Sequence, residues 1–154
     1  EMCIRDSIST VQHLRHVGAD STLTTLRMEP KIMKVGIPKE IYPGECRVAA
    51  TPDTAKRLQK LGFEVLVETG AGKAANFTDN AYIQADCTIL PDASTLWAQS
   101  DVVLKVRPPD INPDLNKSEV DMLGAGKTLV SFIYPAQNRE LLENLAAHKV
   151  TALA

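Results

Sequence analysis

The spacing of hydrophobic and polar positions switches repeatedly between a strand period and a helix period, and that switching predicts the elements. Lys34–Ile37 is a short β-type run ended by Pro38. Residues 41–50 hold the turn dipeptide Pro43-Gly44 and read as a loop. Thr51, Pro52 and Asp53 mark a helix start. A threonine hydroxyl can accept from a free N–H of the first turn, proline is preset for the first helical position, and a carboxylate suits the positive end of the dipole. Ala55, Leu58, Gln59 and Leu61 follow on one side, and Gly62 stops the helix. Residues 63–67 form the next strand and residues 69–73 a glycine-rich turn. Thr78 and Asp79 open a second helix that runs through Ala85; residues 87–90 are a short strand; Pro91 and Asp92 open a third helix through Trp97. Residues 101–106 are almost continuously apolar, as in a strand buried on both faces, and Pro108-Pro109 ends them. A weaker helical stretch over residues 114–123, a buried strand over 128–133, a helix over 138–148 and a strand over 150–154 complete the pattern.

Strands alternating with helices at this spacing predict an α/β fold with a doubly wound, mostly parallel sheet, flavodoxin-like or Rossmann-like, and helices on both faces. Functional loops are then expected at the carboxyl ends of the strands, in residues 38–50, 69–77, 107–112 and 134–138. The last strand has nothing after it to close it, so the domain is expected to be incomplete at its C-terminus. Residues 1–32 hold neither period and lack the apolar stretch and small-residue cleavage site of a secretory signal. They read as an extension, disordered or spurious, outside a domain spanning residues 33–154.

Composition narrows the function. With a formal net charge of -2, the chain lacks the basic excess that tracking a phosphate backbone requires, so no nucleic-acid partner is expected. Cys3, Cys46 and Cys87 are odd in number and irregular in spacing, which fits neither a disulfide framework nor a metal site and suggests a reducing compartment. No apolar run approaches the ~20 residues a membrane span needs, so no direct insertion is expected.

Candidate chemistry is sparse. Glu40, Glu45 and Arg47 share one loop. Arg47 offers a planar fork for a carboxylate or phosphate, or else pairs with Glu40 or Glu45 at the surface. Lys105 lies among apolar neighbours near the end of its strand. It is either paired or working, because burying an unpartnered ammonium is costly, or it snorkels to water from an edge. Residues 70–75 fit G-x-G-x-x-A loosely, but Thr78 is the better helix cap, so the glycines read as a structural turn. Gly124 and Gly126 precede a strand, which excludes a phosphate loop there. His13, His16 and His148 form no ligand cluster.

VGIPKEIYPGECRVAATP (residues 35–52), LGFEV (61–65), ETGAGK (68–73), DVVLKV (101–106) and SFIYPAQN (131–138) occur in that order. Together they resemble the N-terminal domain of the alanine dehydrogenase and proton-translocating NAD(P) transhydrogenase family, over residues 33–154. In the dehydrogenase branch the resemblance implies that Arg47 and Lys105 hold the carboxylate and carbonyl of an oxo acid, with a histidine later in the domain for acid–base work. That position here is Tyr134, whose ordinary pKa near ~10 makes a poor base at neutral pH. The run from Tyr134 through Asn138 resembles the transhydrogenase branch instead, leaving Arg47, Lys105 and Tyr134 as candidate site residues and Gln137 as a possible cofactor contact. That resemblance further implies NAD(H) and NADP(H) in a full-length complex, with neither held tightly by this segment. It also implies a membrane and NADP-binding partner subunit, a homodimer of alpha-type subunits, and a peripheral location on the cytoplasmic side of the inner membrane.

Overall fold

A computed structural model describes residues 31–154; apart from Lys31 and Ile32, the expected extension over residues 1–32 lies outside them. The element order is β1 (Lys34–Ile37), α1 (Pro52–Lys60), β2 (Glu64–Glu68), α2 (Asp79–Ile83), β3 (Thr88–Leu90), α3 (Ala93–Gln99), β4 (Val102–Leu104), β5 (Ile111–Asn112), β6 (Lys117–Ser118), α4 (Glu119–Met122), β7 (Thr128–Val130), α5 (Arg139–Ala147) and β8 (Thr151–Leu153). Six strands make one parallel sheet in the order β3-β2-β1-β4-β7-β8. Counting only the sheet's own strands, this is the 3-2-1-4-5-6 order of the Rossmann arrangement, one of the two forms the sequence pattern leaves open. The order reverses between β1 and β4, so the loops leaving those two strands border the switch point.

Helix starts follow the chemistry read from the sequence. Thr51 Oγ1 accepts from Thr54 N–H at 3.3 Å with Pro52 behind it, Thr78 Oγ1 accepts from Ala81 N–H at 3.3 Å, and Asp92 accepts from Thr95 N–H at 2.8 Å. Strand β2 shows how the two layers are filled. Val65 and Val67 face one side, with Ile37, Ala55, Tyr82, Ala85 and Cys87, while Leu66 faces the other, with Leu96, Trp97, Val103, Val120, Leu129 and Leu145. The period of 2 thus divides one strand between two cores. Gly36 permits the closest approach: a Cβ there would collide with Ser100 Oγ and lie 3.0 Å from Leu96 Cδ2.

Two expectations need correction. The helical stretch expected over residues 114–123 is helical only at its end, in the short α4, and the antiparallel hairpin β5–β6 takes up the residues before it. Asn112 Oδ1 accepts from Asp114 N–H and Leu115 N–H at 3.0 and 3.2 Å, and Asn116 takes a left-handed φ of 47°. An asparagine side chain that supplies the turn's acceptor competes with the helix for those amides. The strands expected over residues 101–106 and 128–133 end at Leu104 and Val130. Beyond β4 the amides of Val106 and Arg107 bond to a side chain instead of continuing a ladder.

Candidate functional site

Acidic and basic side chains gather at the carboxyl ends of β1, β2 and β4. Glu68 ends β2, and its carboxylate accepts from Lys39 N–H at 2.9 Å. Burial pushes the Glu68 carboxyl up, against the pull of that N–H. Glu40, on the loop after β1, crosses to the end of β4 and accepts from Val106 N–H at 2.6 Å and Arg107 N–H at 3.3 Å. Lys105 lies directly behind. Its ammonium is 3.6 Å from Glu40 Oε2 and is gripped by Glu119 Oε1 and Oε2 at 3.0 and 2.9 Å. Nothing of the Lys105 side chain is exposed, and Glu40 and Glu119 are 3% and 1% exposed. Burial raises the Glu119 carboxyl, opposed by Lys105.

The outer layer of this rim is wetter. Glu45 bridges two guanidinium groups: Arg47 meets it through Nε and Nη2, each at 2.7 Å, and Arg107 through Nε at 2.7 Å. The Arg47 bond chiefly, and Arg107 with it, hold the Glu45 carboxyl well below the ordinary carboxylate range. Glu45 in turn raises Arg47, with a smaller contribution from the Tyr134 phenol. Arg107 also lies over the Tyr42 ring, 4.7 Å from its centre. Two guanidiniums on one carboxylate leave a net positive charge at the surface, over the buried Lys105–Glu40–Glu119 group.

The sequence candidates therefore share one rim but differ in state. Arg47 is the surface ion pair with Glu45, one of its two sequence readings. Lys105 is buried and paired rather than snorkelling. Tyr134 is 44% exposed with φ of 52°, a left-handed conformation uncommon for an aromatic residue. Asn138 stabilises that turn by donating from Nδ2 to Ile133 O at 2.7 Å, while Gln137 N–H and Asn138 N–H bond to Tyr134 O. Gln137 is exposed beside it. The Tyr134 and Phe132 rings are 6.5 Å apart. A cavity of about 230 Å³ between β4, β7 and β8 is lined by Lys105, Val130, Ser131, Phe132, Leu153 and Ala154.

Sequence reading missed Glu119 and Arg107. Glu119 opens α4, and a pairing with Lys105 across an intervening hairpin leaves no periodic signal. Arg107 follows the apolar run directly and carries no signal beyond its position. Among the described residues no group of three or more His, Cys, Asp or Glu could hold a metal ion, and no helix is long and apolar enough to cross a membrane.

Residues 70–75 form a structural turn. In residues 70–75 the chain makes a 3-10 turn, and α2 starts only after Thr78. A Cβ on Gly72 would lie 2.7 Å from Tyr82 Cε2 and 2.9 Å from Phe77 Cβ, so that glycine accommodates packed rings, not a phosphate.

A family model described as alanine dehydrogenase/PNT, N-terminal domain matches residues 36–154. Curated relatives include the NAD(P) transhydrogenase subunit alpha of Cereibacter sphaeroides, 48% identical over 79% of this chain and 22% of its own length. The subunit alpha of Haemophilus influenzae is 42% identical over 79% of this chain and 22% of its own. The alanine dehydrogenase of Halomonas elongata is 34% identical over 79% and 31%. Among solved structures, an L-alanine dehydrogenase superposes with a TM-score of 0.71 at 35% identity, covering 79% of this chain and 32% of that one. A transhydrogenase from Sinorhizobium meliloti gives 0.70 at 31%, covering 79% and 34%. The chain thus spans between 22% and 31% of the length of these curated relatives. The matched motifs include the loop of Glu40, Glu45 and Arg47, the Lys105 strand end and the Tyr134 turn, on the sheet order described, and the chain belongs to the alanine dehydrogenase/PNT N-terminal domain family.

Proposed function

We propose that this chain is the N-terminal part of an NAD(P) transhydrogenase alpha subunit. The full complex would transfer hydride between NADH and NADP, coupled to proton translocation through a membrane partner. One observation carries the choice of branch: the aromatic position of the 131–138 motif is Tyr134, and no histidine among the described residues stands at the rim. The only histidine among the described residues, His148, follows α5 at the other end of the sheet, beside Asp121. Reductive amination of an oxo acid calls for a base poised near the working pH, whereas a transfer that moves hydride alone relies on proximity and orientation. Among the curated relatives the transhydrogenase alpha subunits are 42–48% identical and the alanine dehydrogenases 32–34%, which supports the same branch.

In this reading the chain contributes one wall of a nucleotide cleft. Its rim presents the Arg47–Glu45–Arg107 group, the Tyr134 turn and Gln137, while the Lys105 group stiffens the loops behind. The nicotinamide cofactors bind mainly to sequence beyond this segment, and the partners are the membrane and NADP-binding subunit and a second alpha subunit. The protein would then work peripherally on the cytoplasmic face of the inner membrane.

The test supplies the complete alpha subunit and its partner with NADH and an NADP analogue, and separately with NAD and L-alanine. Reduction of the analogue without alanine oxidation is the expected result. Alanine-dependent NADH formation that vanishes in Lys105→Ala would move the protein to the dehydrogenase branch. For the 154-residue chain alone, calorimetric titration with NADH should show no tight binding, and saturable micromolar binding would refute the division of labour proposed here.

A further inference from the structure

The amides of Val106 and Arg107 are consecutive, point the same way and sit just past the end of β4. Both donate to one carboxylate, Val106 N–H to Glu40 Oε1 and Arg107 N–H to Oε2. The Lys105 ammonium stands 3.6 Å from that same Oε2. Two parallel N–H donors and a cation match a planar oxyanion, which accepts one bond on each oxygen and balances the charge behind. The group that fills this position comes from a loop 66 residues earlier and is almost wholly buried. Glu119 already occupies the far side of Lys105 through both its oxygens, so Glu40 meets only the side facing the loop. No backbone hydrogen bond joins residues 38–50 to residues 105–107. Their connections are the Glu40 carboxylate, the Arg107–Glu45 pair and the Arg107–Tyr42 contact.

We propose that Val106 N–H, Arg107 N–H and Lys105 form a carboxylate-binding site at the switch point whose resident occupant is Glu40, and that Glu40 is thereby the positioning residue for the loop bearing Tyr42, Glu45 and Arg47. This goes beyond the transhydrogenase reading and does not depend on it. A site of this kind is defined by its donors, so a free carboxylate of the same shape should replace the side chain. A residue held for packing alone has no such substitute.

Amide hydrogen exchange by NMR on the 154-residue chain tests the proposal, with formate as the probe and chloride at matched ionic strength as control. In Glu40→Ala the Val106 and Arg107 amides should exchange faster by about tenfold or more, the loss expected when a hydrogen bond of this strength is removed. Formate should restore their protection saturably, and chloride should not. Amides that stay protected without formate, or that formate fails to restore, would overturn the proposal. Should Glu40→Ala not fold, Glu40→Gln serves in its place. Its amide keeps one acceptor oxygen and sets an NH2 against the second donor. One of the two amides should then remain protected and the other exchange about tenfold faster, with no response to formate because the side chain still fills the site. Two unchanged amides in Glu40→Gln would also overturn it.

Discussion

The two ends of the sheet use charge differently. At the amino ends of the strands the ions stay partly exposed. Asp101 accepts from Lys34 N–H at 2.9 Å and pairs with the exposed Lys31. Lys127 Nζ donates to Trp97 O and Ala98 O at 2.7 and 2.8 Å, satisfying carbonyls at the end of α3. His148 and Asp121 meet at the surface. At the carboxyl ends, Lys105, Glu40 and Glu119 are buried together and join three separate segments. A surface ion pair contributes little and can be lost cheaply, whereas a buried one, once half removed, leaves an uncompensated charge. The second arrangement is therefore a poor way to gain stability and a good way to hold loops in fixed relation.

The largest test of that contrast is Lys105→Met. It leaves Glu40 and Glu119 facing each other without a cation, and the loss of stability should be about 3–5 kcal/mol by denaturant titration at neutral pH. The deficit should shrink in acid as the carboxylates take up protons. A loss below about 1 kcal/mol would show the group to be solvated. Next, Gly36→Ala tests the core between the two ends. The added methyl must displace Ser100 or Leu96, with an expected cost of about 1–3 kcal/mol. Ser100→Gly in the same chain should recover part of that cost. Lys127→Met should cost only about 1 kcal/mol, because its carbonyl partners lie near enough to water to find other donors. Equal losses for Lys127→Met and Lys105→Met would erase the distinction between the ends.

The smallest effect is alkaline. Burial pushes the Cys87 thiol from 9.0 up to about 11 and the Tyr82 phenol from 10.0 up to about 12. Tyr82 also donates to Ala50 O at 2.8 Å. Both folded values lie above the unfolded ones, so their contribution is whole below about pH 9 and is lost as pH rises towards about 12. Glu45 carries the opposite sign. Its lowered carboxyl stabilises at neutral pH, and that contribution fades as pH falls through and below the ordinary carboxylate range. Cys87→Ala should flatten the first part of the alkaline loss without changing the acid side, as read from melting temperature against pH.

Local rules carried the chain from sequence to elements. Thr51, Thr78 and Asp92 cap helices because a short side-chain oxygen next to free amides acts within one turn, and the apolar runs of β2 and β4 announce burial wherever they pack. The candidate site residues, Arg47, Lys105 and Tyr134, were visible as unusual side chains in otherwise ordinary contexts and through their motifs. Their states were not. Whether Arg47 faces a ligand or Glu45, and whether Lys105 is paired, depends on side-chain partners that a motif does not name and, for Lys105, on a loop dozens of residues away that only strand order brings near. The β5–β6 hairpin was misread because Asn112 and Asn116 override a weak helical pattern, and Glu119, in the helix after it, is identified only by its partner Lys105. Capping, period and burial are decided within a few residues, and the sequence alone determined them here. The 3-2-1-4-5-6 order, the meeting of Glu40 with Lys105 and the sharing of Glu45 by two arginines arise from the juxtaposition of β1 and β4, and only the tertiary structure could decide them.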